Sequence, residues 1–589
     1  MWQHINLRES ASKIEVPKWL PQYVAVAVGC GVAVHVVHRL WRKVALNRKL
    51  DEKKQQLKTS REKLVKEVQH YHLDPNLQKE IVHLSVEALQ NRLQTGKLKA
   101  MDVLRAYQAE ALLVDDRLNC ISETLLEATD RACDCDSNKG QKGMLHGVPV
   151  SVKENYNIQG YDTTIGMEYF INKPADETAV LIQVLERQGA IPFVRTNVPQ
   201  TMYSYSCSNP IYGVTKNPHD VARCPGGSSG GEAALIGGGG SLMGIGGDIG
   251  GSLRIPGNMC GIYALKPTYG RLSKKGMFSV GSGQTLVQGT PGPMGRDVDT
   301  IVMLQQALLS QDMFDLDPAV PPIPFRTEIY KDKSPLKIGF YTWDGGVQTV
   351  PSNVRAVQVA KAALERMGHT VVPYTPPRAM EAVATLWMKA MAGDGGQSFT
   401  EKLKDDYVDD AYRMVYILTN LPRMLVWLLS KLMYPLDPFM SASMKGLTEA
   451  GSVYDWFILS NKIQAYKEEY LQSWRSEGLN AVIAPVYPCP AVLLNKASFL
   501  TVAGSMCQLY NLLNYPSGVV PVTKVSADDL INLENPNVYS PRNLQEKVIK
   551  KACEGGEGLP ISVQCVGLPF QEELVLRVMK DLETGLKTI

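Results

Sequence analysis

The sequence predicts an α/β fold in which a β-sheet is covered by helices on both faces. Short apolar runs that fit buried strands alternate along the chain with longer segments of helical periodicity. The predicted strands are residues 145–152, 190–195, 337–341, 369–374, 481–484, 518–522 and 561–566. The predicted helices between them include residues 180–187 and 353–367. No internal repeat is visible in the sequence, so we expect one large domain and not a repeat array.

The bulk composition is that of an ordinary globular protein. The chain has 589 residues, of which 44% are hydrophobic and 21% are charged. The 62 basic and 59 acidic residues leave a net charge of +3, which does not favour nucleic-acid binding. The 11 cysteines include no CxxC pair and no zinc-ligand spacing with histidine. We therefore predict reduced thiols in a reducing compartment, with no metal and no cofactor.

The N-terminal region carries the strongest membrane signal of the sequence. Tyr23–Val37 is apolar apart from His35, and with its flanks this stretch approaches the roughly 20 residues that span a bilayer. We predict a short tail over 1–20 and a single transmembrane helix over 21–40. More basic residues follow this helix than precede it, so the positive-inside rule predicts a cytoplasmic location for the rest of the chain. A buried core helix or a membrane-surface helix is the alternative.

The next segments are predicted to connect this helix to the main domain. Residues 49–68 are typical of a charged helix, and residues 77–114 show amphipathic periodicity that is broken at 95–97. We assign residues 41–100 to a charged helical linker and residues 101–589 to the main domain.

A second apolar stretch lies at residues 411–436. Its leucines recur at helical spacing, and Pro422 follows Thr419–Asn420 as a start signal for a new helix. Helices this apolar belong either to the core or to a cap that faces a membrane, and both interpretations stay open.

Residues 318–326 are rich in proline. Pro321, Pro324 and Arg326 match the PxxPxR pattern of polyproline ligands, so an SH3-type partner at Pro321–Arg326 is one interpretation. A rigid surface loop explains the same residues.

A glycine-rich stretch at residues 226–257 contains two serine clusters, around Ser228 and, 24 residues further on, around Ser252. Glycine permits tight turns and close backbone approach, and N–H groups in such turns can converge on an anion. The tract contains a literal GxSxG match, but the preceding NPHDVARCP is not typical of a strand, and His369 is the one histidine downstream of Ser228. An α/β-hydrolase elbow therefore fits poorly, and no phosphate-loop motif occurs.

The residues then match a known family. GGSSGGEAALIG, GGDIGGSLRIPG and Lys153 in PVSVKEN together resemble the motifs of the amidase signature family. The resemblance covers roughly residues 100–580. It implies that the main domain is a catalytic domain, with a central twisted mixed β-sheet between helices.

The resemblance assigns a Ser–Ser–Lys triad to this chain. Ser252 corresponds to the nucleophile, Ser228 to a bridging serine and Lys153 to the base. A serine hydroxyl needs a base to become nucleophilic, and a lysine can serve if burial keeps it neutral. The backbone N–H groups expected in the oxyanion hole are those of Ile249, Gly250, Gly251 and Ser252.

Other residues receive supporting roles from the same resemblance. Asp248 and Arg254 are expected to pin the loop, and Ser229 to support the relay or the carbonyl side. Met202 and Tyr203, in QTMYSYS, resemble residues that line an acyl channel, although plain core packing explains them as well.

One position departs from the pattern of the family. Many members carry threonine or serine where this chain has Gly247. A hydroxyl contact that would help to hold Lys153 is therefore absent, which affects the fine positioning of the lysine and not the reaction class.

Within the family, Ile249, the predicted anchor, the 411–436 stretch and the tail at 558–574 resemble the members that act on lipid amides. The resemblance implies hydrolysis of N-acylethanolamines and primary fatty acid amides through an acyl-enzyme, with esters cleaved as well. It also implies a homodimer at the endoplasmic reticulum or another endomembrane. The alternatives are an amidase of other specificity, such as the glutamine amidotransferase subunit type, and an inactive membrane scaffold.

Overall fold

The computed structural model describes residues 20–281, 283–448 and 451–588. These residues belong to two compact units, one that ends at Glu52 and one that begins at Lys53. The predicted N-terminal tail lies outside the described residues except for Leu20. Among the helices of the described segments, none combines the length and the apolar character needed to cross a bilayer. The transmembrane helix over 21–40 stays a prediction.

Eleven strands of the described chain form one mixed sheet in the larger unit, in the order β1-β3-β2-β6-β8-β7-β12-β13-β11-β9-β10. The strands are β1 (Ile121–Thr124), β2 (Pro149–Lys153), β3 (Ile191–Thr196), β4 (Ser208–Asn209), β5 (Gly213–Val214), β6 (Met243–Asp248), β7 (Tyr263–Lys266), β8 (Thr290–Gly295), β9 (Lys337–Phe340), β10 (Thr370–Pro373), β11 (Ala481–Pro485), β12 (Ser517–Lys524) and β13 (Pro560–Val566). Strand β2 is parallel to β3 and β6, and β9 is parallel to β10 and β11. The other neighbours in the sheet are antiparallel, and β4 pairs with β5 alone.

The described residues also form helices. They are α1 (Leu20–Tyr71), α2 (Pro75–His83), α3 (Val86–Gln94), α4 (Ala100–Leu118), α5 (Ala128–Ser137), α6 (Val180–Arg187), α7 (Gly230–Gly237), α8 (Arg254–Cys260), α9 (Val298–Leu308), α10 (Gln311–Leu316), α11 (Thr327–Lys331), α12 (Pro351–Arg366), α13 (Ala379–Glu381), α14 (Met388–Met391), α15 (Gln397–Leu403), α16 (Asp410–Asn420), α17 (Arg423–Met433), α18 (Pro438–Gly446), α19 (Val453–Ser476), α20 (Ser505–Leu512), α21 (Ala527–Glu534), α22 (Leu544–Ala552) and α23 (Glu572–Leu586). A π-helical segment (Ala382–Trp387) joins α13 to α14. The predicted α/β fold with a mixed sheet is confirmed.

The helices before residue 101 belong to the larger unit from Lys53 onwards. Asp74 caps α2 by accepting the N–H groups of its first turn, and Ser85 caps α3 in the same way. Their apolar faces join the core through residues such as Ile81 and Leu89, which are fully buried. The compact unit that holds the site therefore starts within the segment assigned to the linker.

Every strand predicted from the sequence is present with shifted ends. The strands β1, β4, β5, β6, β7 and β8 were not predicted, and two of them, β6 and β8, have unusual compositions. Their sequences, MGIGGD and TPGPMG, are rich in glycine and proline, which strands usually lack. Gly244 of β6 allows close packing, because a Cβ at this position would lie 1.6 Å from Oε1 of Glu232. Helix α7 thus packs directly on the backbone of β6, and β6 delivers the loop that holds Ser252.

The 411–436 stretch forms the two helices α16 and α17, separated at Pro422 as the sequence predicts. Val426 of α17 is buried, whereas Trp427 and Leu432 are 53% and 64% exposed. One face of the pair therefore packs on the protein and the other presents large apolar side chains to the outside.

The proline-rich segment is tied to the C-terminal helix. The Arg326 guanidinium lies 2.7 Å from Oε2 of Glu573 in α23 and also donates to the Phe570 carbonyl. The Pro324 carbonyl accepts from Arg271 at 3.2 Å. An SH3-type partner at Pro321–Arg326 stays a prediction.

Candidate active site

The structure brings Lys153 and Ser228 together although they lie 75 residues apart in the chain. Lys153 is the last residue of β2, and its side chain is buried, with 1% exposure. Its Nζ donates to Ser228 Oγ at 2.8 Å and approaches the Gly247 carbonyl oxygen at 3.4 Å. A proton can therefore pass directly between the hydroxyl of Ser228 and the amine of Lys153.

Burial lowers the pKa of Lys153 from its usual value of 10.5 to about 7. The negative charge of Asp248 opposes this shift most strongly, followed by Cys207, Glu232 and Glu154. A substantial fraction of the lysine is therefore neutral at neutral pH, which is the form that a base requires.

The space beside Gly247 is filled by another residue. A Cβ at position 247 would lie 2.3 Å from the methyl carbon of Met277, so a side chain there would collide with the methionine. Lys153 instead contacts the backbone carbonyl of Gly247. The methyl group of Met277 thus occupies the space that a side chain at position 247 would take.

The two serine loops are joined to each other. The N–H of Ser229 donates to the carbonyl of Ser252 at 3.1 Å. The Ser229 hydroxyl lies 3.3 Å from the Gly247 carbonyl oxygen and accepts the Gly247 N–H at 3.4 Å. Ser229 therefore links the loop of Ser228 to the end of β6 and to the loop of Ser252, and its support of the relay stays a prediction.

The loop that carries Ser252 follows β6 directly. Asp248 Oδ1 accepts the N–H of Gly251 at 2.7 Å, and Oδ2 accepts the N–H of Leu253 at 3.1 Å. The N–H groups of Ile249, Gly250 and Ser252 donate to no protein group within the described residues. Three of the four N–H groups predicted for the oxyanion hole are thus unpaired, whereas Gly251 is directed to Asp248.

Asp248 and Arg254 form a buried ion pair below this loop. The Nε of Arg254 lies 3.0 Å from Oδ2 of Asp248, and both side chains are fully buried. Burial raises the pKa of Asp248, but the Arg254 guanidinium more than offsets it and holds that pKa below its usual value. The Arg254 guanidinium also donates to the side-chain oxygens of Asn511 at 2.6 Å and of Gln564 at 3.0 Å. The pair is thus hydrogen-bonded to the backbone of the Ser252 loop through Asp248, and its loop-pinning role stays a prediction.

An apolar cavity of about 330 Å³ opens beside Ser252. Its wall also contains the predicted residues Met202, Tyr203, Ile249 and Gly250. Most other lining side chains are large and apolar, as represented by Trp387, Met391, Phe399, Leu418, Met444 and Leu447. The cavity can hold an extended hydrocarbon group with one end at the Ser252 hydroxyl.

Sequence reasoning missed the polar residues behind the Gly250 side of this cavity. The Tyr205 hydroxyl donates to the Gly250 carbonyl at 2.5 Å, and Gln508 Nε2 donates to the Tyr205 oxygen at 3.1 Å. Tyr205 lies in the same QTMYSYS segment that indicated Met202 and Tyr203, so a signal was present for it. Gln508 and Trp387 also line the cavity. They lie in distant segments that contain no recognisable motif, so no signal in the sequence indicated them.

Comparison with known proteins agrees with the sequence motifs and the fold. The profile of the family described as Amidase matches residues 102–576. Fatty-acid amide hydrolase 1 of Sus scrofa is 40% identical over 537 residues, which cover 90% of this chain and 91% of that protein. Fatty acid amide hydrolase 1 of Caenorhabditis elegans is 37% identical over 526 residues, covering 87% and 90% of the two chains.

A solved structure shows the same architecture. A fatty acid amide hydrolase structure aligns with a TM-score of 0.75 at 24% identity and covers 92% of this chain and 95% of its own. At this level of identity the match supports the fold, while the relatives of higher identity support the chemistry.

Proposed function

This chain belongs to the amidase signature family and hydrolyses amide bonds, and from that premise we propose that its substrates are amides of long-chain fatty acids. The observation that carries the proposal is the apolar cavity beside Ser252. The transfer of a hydrocarbon chain from water to such an apolar wall is favourable, because it removes apolar surface from water. A small polar substrate such as glutamine would lose hydration there without gaining partners, so the glutamine amidotransferase alternative fits less well.

In the proposed mechanism a proton passes from Ser252 to Ser228 and then to Lys153. The Ser252 oxygen attacks the amide carbon while its proton passes to Ser228, and the Ser228 proton passes to neutral Lys153. The unpaired N–H groups of Ile249, Gly250 and Ser252 stabilise the oxyanion that forms, each contributing about 3 kcal/mol if removal costs what it does in other enzymes.

Collapse of the tetrahedral intermediate then needs a proton on the leaving nitrogen. Lys153 returns its proton through Ser228 as the C–N bond breaks, which leaves an acyl ester on Ser252 and releases the amine or ammonia. Water attacks this ester with the same base and releases the fatty acid. The relay protonates the amine, which is otherwise a poor leaving group. This explains why the arrangement suits amides as well as esters.

Probe labelling in the presence of competing amides tests the substrate class. We expect a fluorophosphonate to label the protein covalently, and oleamide to slow that labelling because its chain fills the cavity. Acetamide presents the same amide without the chain and is the matched control, and glutamine represents the alternative specificity. Equal protection by glutamine or acetamide would contradict the proposal, and measurable turnover of any amide would exclude a purely scaffolding role.

We further propose that α16 and α17 contact a membrane surface, in addition to an anchor at 21–40. Leu432 and Trp427 present apolar surface outward, and Lys431 lies 5.5 Å from the Trp427 ring. The same helix pair contributes Leu418 and Met433 to the cavity wall. A lipid amide dissolved in a bilayer would therefore meet the cavity where the protein presents its apolar face.

Vesicle co-sedimentation of a chain without residues 1–38 tests the contribution of this helix pair. We expect the truncated protein to retain vesicle binding and Leu432→Glu to weaken it, because a charge would enter the proposed contact. Ile531→Glu is the matched control, since Ile531 is 66% exposed and Leu432 is 64% exposed on different helices. A truncated protein that stays wholly in solution would exclude a membrane role for α16 and α17.

A further inference from the structure

A second carboxyl group lies next to the proposed triad and has no place in the mechanism above. Glu232 is in the first turn of α7, which begins two residues after Ser228, and it is fully buried. Its Oε2 accepts from the Thr196 hydroxyl at 2.6 Å, and its Oε1 accepts from the Ser151 hydroxyl. Burying a carboxylate is costly unless it is hydrogen-bonded, so a site built for one indicates a use.

The strand geometry shows where this carboxyl group lies relative to the lysine. Ser151 and Lys153 are two residues apart on β2, so their side chains lie on the same face of the sheet. Thr196 of β3 pairs directly with Lys153 in the parallel register. The hydroxyls that hold Glu232 thus come from the strand neighbours of the lysine. Gly244 of β6 leaves the space that the carboxylate occupies.

We propose that Glu232 is a positioning residue whose carboxylate supplies a counter-charge beside Lys153 and so sets the pH range in which the lysine accepts a proton. The inference rests on the proposed function, because it takes Lys153 as the base. Each turnover places a positive charge on Lys153 twice, once in acylation and once in deacylation. A nearby carboxylate stabilises that transient ammonium without contacting the substrate.

The electrostatic surroundings agree with this assignment. Burial raises the pKa of Glu232 to about 7, while the Ser151 and Thr196 hydrogen bonds and the charge of Lys153 oppose the rise. The groups that act on Lys153 are Asp248, Cys207, Glu232 and Glu154. Asp248 is already engaged by Arg254, and Cys207 is a buried thiol whose pKa is raised to about 12 by burial. Cys120 and Tyr156 also feel the charge of Glu232, and burial raises the pKa of both.

The pH dependence of kcat/KM in the full-length enzyme tests the inference. Because the neutral lysine is the active form, activity falls as the pH drops through the pKa of Lys153. Removing the carboxylate in Glu232→Gln lowers the pKa of Lys153. We therefore expect the acid limb to shift to lower pH by about half a unit or more. Gln retains the shape and can still bond both hydroxyls, which limits structural damage.

Glu154→Gln is the matched control. Glu154 is also fully buried and adjacent to Lys153, but its carboxylate accepts from the hydroxyl of Thr164 and the N–H of Ile165. We expect a smaller displacement there than in Glu232→Gln. An acid limb that stays in place in Glu232→Gln, or one that moves equally in both variants, would overturn the inference.

Two further variants keep the outcome interpretable. If Glu232→Gln does not fold, Thr196→Val removes one hydroxyl from the carboxylate and should move the limb in the same direction, and an unmoved limb there would overturn the inference as well. Lys153→Ala separates the two levels of the argument. An acid limb that survives in Lys153→Ala refutes the proposed base, whereas its loss there together with an unmoved limb in Glu232→Gln refutes the role of Glu232 alone.

Discussion

Replacing Ser252 by alanine is expected to abolish covalent labelling by a fluorophosphonate and to lower amide turnover by about 10³- to 10⁶-fold. Ser252 lines the cavity, and it lies next to unpaired backbone N–H groups that can hold an oxyanion. Without its oxygen no acyl-enzyme can form. Mass spectrometry of the labelled protein and a turnover assay with a long-chain amide measure the two effects.

Neighbouring serines provide the controls for this experiment. Ser229 is fully buried, and its hydroxyl bonds the backbone of Gly247, so Ser229→Ala should still be labelled. Ser228→Ala should be labelled slowly, because the path from Ser252 to Lys153 is interrupted while the nucleophile remains. Undiminished labelling of Ser252→Ala would show that another residue is the nucleophile.

Replacing Lys153 by alanine is expected to lower amide turnover by about 10²- to 10⁴-fold and to remove the acid limb of the pH profile. The pKa of Lys153 is lowered to about 7 by burial, so the parent enzyme should lose kcat/KM as the pH falls below about 7. The loss follows from protonation, since the ammonium form cannot accept the proton of Ser228. A profile of kcat/KM between pH 5 and 9 measures this directly.

A second buried lysine makes this experiment selective. Burial, together with the charge of Arg254, also lowers the pKa of Lys266 to about 7, but its Nζ bonds the Pro267 carbonyl at 3.0 Å and not a serine of the site. Lys266→Met should therefore keep the acid limb that Lys153→Ala loses. If the limb disappeared in Lys266→Met and survived in Lys153→Ala, the base would have been assigned to the wrong lysine.

Local signals in the sequence were sufficient for much of the fold. The helix predicted at 180–187 is α6, and the strands predicted at 190–195 and 561–566 are β3 and β13, because their periodicity depends on neighbours in the chain. Strands β6 and β8 escaped prediction because their glycines and prolines oppose strand formation locally. They form because surrounding elements pack closely on their backbone, as Gly244 shows.

The sequence by itself determined the reaction class of this protein. Lys153, Ser228 and Ser252 stand in motifs long enough to identify the family, and the family profile extends over 102–576. Motifs of this kind are continuous in the chain, so their residue types and spacing carry the chemistry without knowledge of the packing.

Only the tertiary structure decided how that chemistry is tuned and what kind of cavity lies beside Ser252. The depressed pKa of Lys153 arises from burial, and burial results from elements that are far apart in sequence. The cavity wall likewise joins Met202, Trp387, Leu418 and Met444 from separate segments. The hydrogen bonds to Glu232 require β3 and β6 to pair with β2 and α7 to pack on these strands. Desolvation and shape depend on all contacts at once, so no stretch of sequence contains them.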